Sequence, residues 1–436
     1  MKEVVIAGAG LAGAEAAWQI VKRGIPVELW EMRPVKLTPA HKTGFFAELV
    51  CSNSLKSTSL DNASGLLKEE LKHLDSLIMK VAEKSQVPAG GALAVDREGF
   101  AEGVTKALTA HSLVKVINSE LKQIPDGRPL IIATGPLTDG AFKEAIVELT
   151  GEDYFYFFDA AAPIITKESI DLNKVFEASR YNKGEAAYLN CPMDEQEYQQ
   201  FYQELINAEV FPRKDFERGK FFEACVPIEE LALRGQKTLT FGPLKPVGLI
   251  DPRTGKLPYA VIQLRQDDKR GNLYNMVGFQ TNLTWPEQKK VFSLIPGLER
   301  ADFVRYGVMH RNSFINAPRL LTQSNQLKKE KGVFFAGQLT GVEGYLESTA
   351  SGLVAGLNAV NLVRDKKLLS FPQETAIGAL HYYLVNTMAT DFQPMNINFG
   401  LFPPLSKKLK SKKERNLHIS RRALETLDSF IRINNI

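Results

Sequence analysis

The sequence predicts an α/β protein whose parallel sheet is assembled from both ends of the chain around an inserted α+β domain. Two observations lead to it: a strand, glycine turn and helix at the start, and a similar unit late in the chain, with a stretch of different texture between them. Val4-Val5-Ile6-Ala7 is a short apolar run that ends in Gly8-Ala9-Gly10-Leu11-Ala12-Gly13, and helix-forming residues follow. G-x-G-x-x-G at a strand-to-helix turn is the dinucleotide fingerprint. Its glycines give a tight turn, room for a pyrophosphate and close helix packing, and the helix N-terminus favours the phosphates. Val27-Glu28-Leu29-Trp30-Glu31 reads as the second strand. It ends in an acid about twenty residues on, where a ribose-binding carboxylate is expected in a Rossmann-like domain.

The elements follow in order. A polar stretch without period from Met32 to Thr43 is long for a connector and leads to Phe45–Ser54, where Cys51 lies between apolar and small polar residues. Leucines at 66, 67, 71, 74 and 77 predict helical core packing over 62–80. A glycine turn at 88–91 enters a strand ending near Arg97, then a helix from Glu98 to Thr109. Val114–Asn118 and Leu130–Pro136 read as further strands. From about Tyr154 the texture changes to aromatic strands, an amphipathic stretch over 194–208, and alternating segments at 238–241 and 259–264 that predict a mixed or antiparallel sheet. Within it, Phe211–Lys220 interleaves basic and aromatic residues, and Cys225 precedes a helix started by Pro227. Tyr306–Pro318, with His310, Arg311 and Asn312, reads as a polar loop suited to a heterocycle.

The nucleotide pattern then resumes. Val333-Phe334-Phe335-Ala336 enters the turn Gly337-Gln338, and small residues at helical spacing follow from Glu347 to Leu362. Such a late second unit makes the first domain a split FAD-binding Rossmann-like domain. The predicted division is 1–175 and 326–436 for its two parts and 176–325 for the insertion. The run Lys407–Arg415 is basic and precedes a final amphipathic helix; its default reading is a solvated face.

Composition narrows the chemistry. The chain has 436 residues, 44% apolar and 24% charged, with a net charge of +4, which permits a polyanionic partner without demanding one. Three cysteines form no disulfide framework and point to a reducing cytosol. No uncharged apolar run reaches the ~18 residues of a membrane span, so a soluble protein is expected. The histidines and cysteines show no metal-ligand spacing, and neither a P-loop nor a G-x-S-x-G elbow is present. A flavin would therefore carry the hard chemistry, with a cysteine as the candidate nucleophile. Cys51 and Cys225 lie beside predicted loops, whereas Cys191 in Leu189-Asn190-Cys191-Pro192 reads as a small core residue.

With these pieces in place, the sequence closely resembles the bacterial folate- and FAD-dependent tRNA uracil-5-methyltransferases over nearly its full length. The specific segments are Val50-Cys51-Ser52-Asn53-Ser54, Val87–Arg97, Phe222–Glu229, Gly307–Asn312 and Gly337–Tyr345, beside the glycine turn and Trp30-Glu31-Met32-Arg33-Pro34. The resemblance implies methylation of the T-loop uridine of tRNA, with methylenetetrahydrofolate as donor, FAD as carrier and reductant, and NADH or NADPH as electron source in the cytoplasm. It implies Cys51 as nucleophile and Cys225 as its partner, with the two roles open to exchange. Gly8, Ala9, Gly10, Leu11, Ala12, Gly13, Glu31, Arg33, Gly337 and Gln338 would hold FAD, and His310, Arg311, Asn312 and Tyr345 the substrates. Arg213, Lys214, Arg218, Lys407, Lys408 and Lys410 would meet RNA phosphates. Two alternatives are a relative acting on ribosomal RNA and a plain FAD/NAD(P)H oxidoreductase. The FAD subunit of wobble-uridine modification would lack this cysteine pair.

Overall fold

Strand β1 (Val4–Ala7) is buried on both faces, as a run without polar alternation must be when helices cover a parallel sheet. The structure, a computed structural model, describes residues 3–182, 185–212, 226–390, 392–406 and 409–436. β1 is the centre of a five-stranded parallel sheet in the order Val333–Phe335, Leu130–Ile132, β1, β2 (Val27–Trp30), Val114–Ile117. One edge strand thus comes from late in the chain. Helix α1 (Leu11–Val21) covers one face and packs on the helix Tyr345–Val363. The approach is close because Gly352 and Gly356 lie against it: a Cβ at Gly352 would come 2.1 Å from the Ala12 carbonyl oxygen.

A second, antiparallel sheet of six strands runs Phe176–Glu177, Tyr188–Met193, Ala260–Gln266, Leu273–Met276, Ile164–Thr166, Phe303–Arg305. It has its own core, with Phe201, Phe279, Phe292 and Ile262 fully buried. The helix Glu195–Asn207 packs there and starts from a complete capping box made by Asp194 and Glu197. Between the two sheets the strands Phe155–Ala160 and Met309–Phe314 form an antiparallel ladder. Among the described residues no helix is long and apolar enough to cross a membrane.

Three expectations change. The leucine-spaced stretch 62–80 is two helices, Ala63–His73 and Leu77–Lys84. Asp75 has φ +60°, and Ser76 caps the second helix while its hydroxyl donates to Glu15 at 2.7 Å, so the break is a docking point for α1. Thr238–Phe241 is a single helical turn rather than a strand. Leu239 is buried and Phe241 is exposed, although strand alternation would put both on one face. Finally, His310 lies in a strand, not a loop: pairing with the aromatic strand Phe155–Ala160 satisfies the backbone of a segment whose polar side chains hid its extended form.

Candidate active site

Gly8 takes φ +95°, and a Cβ there would come 2.5 Å from the Ala133 carbonyl oxygen, so the turn after β1 admits only glycine. Gly13 is equally constrained, since its Cβ would sit 1.8 Å from the Gly8 carbonyl oxygen. Gly10 differs: it has an ordinary φ of −69°, and among the described residues no atom lies within 4 Å of the Cβ position. That open side faces a cavity of about 420 Å³. Gly10 caps α1 with no side chain, so the first N–H groups of the helix and its positive dipole end point toward the cavity.

One wall of the cavity is an ion pair. Glu31 Oε2 accepts from the Ala9 amide at 2.9 Å, and Arg33 donates Nε to Oε1 at 2.9 Å and Nη2 to Oε2 at 3.0 Å. Burial works against the Glu31 charge, but the Arg33 hydrogen bonds and charge outweigh it and hold the carboxyl below its ordinary value. Arg33 Nη1 is buried with no hydrogen-bond partner among the described residues, 3.5 Å from Glu48 Oε2. An open glycine face, a helix N-terminus and an unsatisfied guanidinium nitrogen together form a cradle for a phosphate-bearing dinucleotide. FAD fits it. Gly8, Gly10, Leu11, Ala12, Glu31, Arg33, Gly337 and Gln338 all line this cavity. Ala9 holds Glu31 and Gly13 packs the helix, so these two act from behind the wall.

Cys51, half-buried, lines the same cavity, and its loop is gripped from four directions. Its amide donates to the Tyr345 hydroxyl at 2.8 Å, and its carbonyl accepts from Arg97 Nη2 at 2.7 Å. Arg97 also donates to the Leu49 carbonyl, and Arg305 Nη2 donates to the Val50 carbonyl. From the antiparallel sheet, Arg265 donates to Ser52 Oγ at 2.7 Å and to Asn53 Oδ1 at 3.0 Å. Asp267 anchors Arg97 through Nε at 2.7 Å. Burial disfavours the Arg97 charge, yet Asp267 overcomes this and holds its pKa above the ordinary value. Arg305 is lowered, first by burial and then by repulsion from Arg97. Burial pushes the Tyr345 phenol up, so it stays a neutral scaffold for the loop. Both guanidinium groups interact electrostatically with the Cys51 thiol.

Asn312 and Tyr345 line the cavity too. His310 and Arg311 occupy the same strand as Asn312, but their side chains lie outside the described part of the structure. Cys225, Arg213, Lys214, Arg218, Lys407 and Lys408 lie outside the described residues. Lys410 is exposed, just before the helix Lys412–Asn434, whose Lys412, Lys413 and Arg415 are also exposed. That helix is tied down by Asn416 and Ser420, which donate to the Asp61 and Leu60 carbonyls. Cys191 is fully buried in the second core, where burial pushes its thiol up. Among the described residues no group of three or more His, Cys, Asp or Glu side chains could hold a metal ion.

Sequence reasoning missed Arg97, Arg265, Asp267 and Arg305 as the frame of the Cys51 loop. The one available signal was Arg265, the single charged residue in the strand Ala260–Gln266.

The model of the family described as glucose inhibited division protein A matches residues 3–367. The chain is 62% identical over 433 residues to the methylenetetrahydrofolate--tRNA-(uracil-5-)-methyltransferase TrmFO of Heliobacterium modesticaldum, covering 99% of each chain. It is 61% identical over 430 residues to the protein of the same name from Anoxybacillus flavithermus, again over 99% of each. Among solved structures, Aquifex aeolicus GidA in its form II crystal superposes with a TM-score of 0.70 at 15% identity, covering 99% of this chain and 73% of that one, which is a likeness of fold.

Proposed function

The chain belongs to the glucose inhibited division protein A family, and from that premise we propose that it methylates C5 of the T-loop uridine of tRNA, with methylenetetrahydrofolate as donor and FAD as cofactor. The observation that carries the reading is a cysteine set in the wall of a dinucleotide cavity, on a loop held by three arginines and a tyrosine. FAD, when bound, supplies electrons and carries the one-carbon unit. The α1 N-terminus and the open side of Gly10 would receive its pyrophosphate, and Glu31 its ribose.

Cys51 is the proposed nucleophile. Its thiolate adds to C6 of the uracil, forming an S–C bond and placing the displaced electron pair at C5, which then takes up the one-carbon unit. Removal of the C5 proton by a base, together with reduction of the one-carbon unit from methylene to methyl by two electrons that FAD supplies when bound, restores the C5–C6 double bond as the thiolate leaves. Cys225 is the proposed partner, serving as the base or guarding the flavin, and the two cysteines can exchange roles. Arg97 and Arg305 would stabilise the thiolate both before addition and after release. Asn312 and Tyr345, on the cavity wall, are proposed contacts of the substrates, with His310 and Arg311 from the same strand as Asn312. The target base is stacked in folded tRNA and must leave its stack to reach Cys51. Lys410 and the exposed basic start of the last helix are proposed phosphate contacts. NADH or NADPH is the proposed electron source, and the cytoplasm, where tRNA and reduced thiols coexist, the proposed location.

The test is label transfer from methylenetetrahydrofolate into unmodified tRNA and into ribosomal RNA, with mapping of the product. Label at C5 of the T-loop uridine, abolished in Cys51→Ala, is expected. Label in ribosomal RNA alone, or flavin turnover indifferent to any RNA, refutes the proposal.

A further inference from the structure

Away from the cavity, three aromatic rings form a column at the edge of the antiparallel sheet. Phe303 and Tyr306 stack with centroids 5.1 Å apart and planes 12° from parallel. Tyr306 and Trp285 continue the stack at 5.7 Å and 16°. At its inner end Phe303 leans on Phe292, which is fully buried, so the column is rooted in the core. Its outer end reaches solvent: Trp285 is 53% exposed, and Phe211, itself 41% exposed, is its one further ring contact among the described residues, 6.4 Å away with the planes 80° apart. A large ring half in water, held flat by a ring beneath it, is shaped to receive one more flat ring.

The column is fixed relative to the active site by short connections. Gln280 lines the cavity five residues before Trp285, and Asn312 lines it six residues after Tyr306. Even fully extended, such segments span roughly 20 Å, a reach of a few nucleotides. Gln288, on the helix that Trp285 begins, clamps Gly307 in both directions, donating to its carbonyl at 2.9 Å and accepting from its amide at 2.8 Å. Beside the column, Lys289, Lys290 and Arg300 line a surface depression with Glu299 and Asp302. Lys174 binds Glu299 at 2.7 Å and Glu204 binds Lys290 at 2.9 Å, while Lys289 and Arg300 form no ion pair among the described residues. An open aromatic face beside unbridged cations matches unpaired RNA, whose bases stack and whose backbone is anionic.

We propose that the exposed face of Trp285 is a stacking platform for an unpaired base of the RNA substrate, near the target uridine in the loop. This rests on the reading of the protein as an RNA methyltransferase and adds the place where the loop is gripped outside the cavity. Stacking needs no base identity, so the platform would hold the loop in position while Cys51 and the flavin site select the uracil.

The test uses a T-arm RNA hairpin and fluorescence anisotropy over a salt series, with the wild-type holoenzyme, Trp285→Ala and Trp285→Phe. From the usual worth of base–aromatic stacking, Trp285→Ala should weaken binding roughly 5- to 150-fold. Trp285→Phe should keep most of the affinity, and the salt slope should hold because no phosphate contact is lost. Hairpins with one abasic nucleotide placed in turn at each non-target loop position provide the decisive comparison. At one position the gap between wild type and Trp285→Ala should close. An unchanged affinity in Trp285→Ala, or the same loss on every abasic hairpin, overturns the platform. So does a changed oligomeric mass with RNA affinity intact, which would assign the column to a second copy of the chain. Wild-type protein that neither binds nor labels the hairpin overturns the RNA reading and the platform with it; intact labelling with an indifferent Trp285→Ala overturns the platform alone.

Discussion

Replacing Arg97 by methionine would remove the group that ties the Cys51 loop to the antiparallel sheet. Three contacts go at once: the carbonyls of Leu49 and Cys51 lose their donor, and Asp267 loses its partner. Asp267 is the costly one, being 3% exposed with its other oxygen already without a hydrogen-bond partner among the described residues. Stripping one member from such a buried pair costs about 3–5 kcal/mol. Hydrogen bonds from a charged donor are worth about 1.5–3 kcal/mol each, but the loop can relax to water, so a total near ~4 kcal/mol is expected. That corresponds to roughly a thousandfold rise in local opening. Amide exchange read by mass spectrometry over residues 49–53 should speed up by about two to three orders of magnitude. Methyl transfer should fall by about a hundredfold, the cost of misplacing a reacting group by about 1 Å. Flavin content should hold, because Arg97 does not line the cavity. Arg97→Lys keeps the charge but not the fork that reaches two carbonyls and a carboxylate, so it should recover folding better than rate. Wild-type exchange at 49–53 together with wild-type turnover in Arg97→Met would refute the role given to this arginine.

The second and third glycines of the opening turn, Gly10 and Gly13, should part company. Gly10→Ala meets nothing in the protein at an allowed φ, so the apoprotein should melt at or slightly above the wild-type temperature, by up to about 1 kcal/mol, while flavin retention drops at least about tenfold. Gly13→Ala drives a methyl into the Gly8 carbonyl and should cost about 2–3 kcal/mol in the apoprotein itself. His381 offers a pH test: burial pushes its imidazole down to about 4 from an ordinary 6.5, with Nδ1 at 2.8 Å from the Ile377 carbonyl. The native state therefore binds fewer protons than the unfolded one, and stability should be full above pH ~6.5 and fall by about 3 kcal/mol as pH drops toward 4. Chemical denaturation of His381→Phe should show a shallower acid slope over that window, and an unchanged slope would count against it.

The local parts of the molecule were readable, and so was the parallel sheet assembled from both ends of the chain; the contacts between distant side chains were not. The glycine turn announces itself because each glycine answers a backbone need within a few residues, and the late turn at Gly337 likewise. The stretch 62–80 misled because leucine spacing runs through Asp75, where the positive φ comes from docking on α1. His310 misled for the opposite reason, since polar side chains mask a strand that exists only through its partner. Arg97 and Asp267 are 170 positions apart, so no window of sequence brings them together. The Cys51 loop could be named from its thiol, but not the frame that holds it.

The edge strand Val333–Phe335 and the helix Tyr345–Val363 also bear on how the chain comes to be folded. α1 leaves the ribosome more than three hundred residues before the glycines that seat it, Gly352 and Gly356. At roughly 5–20 residues per second, its apolar face waits on the order of tens of seconds for that cover. Contacts of such sequence separation are slow to close and leave sticky surface exposed meanwhile. A dinucleotide that touches Gly10 and Gly337 together bridges an early and a late piece of one domain, so its arrival would close the gap that synthesis leaves between them.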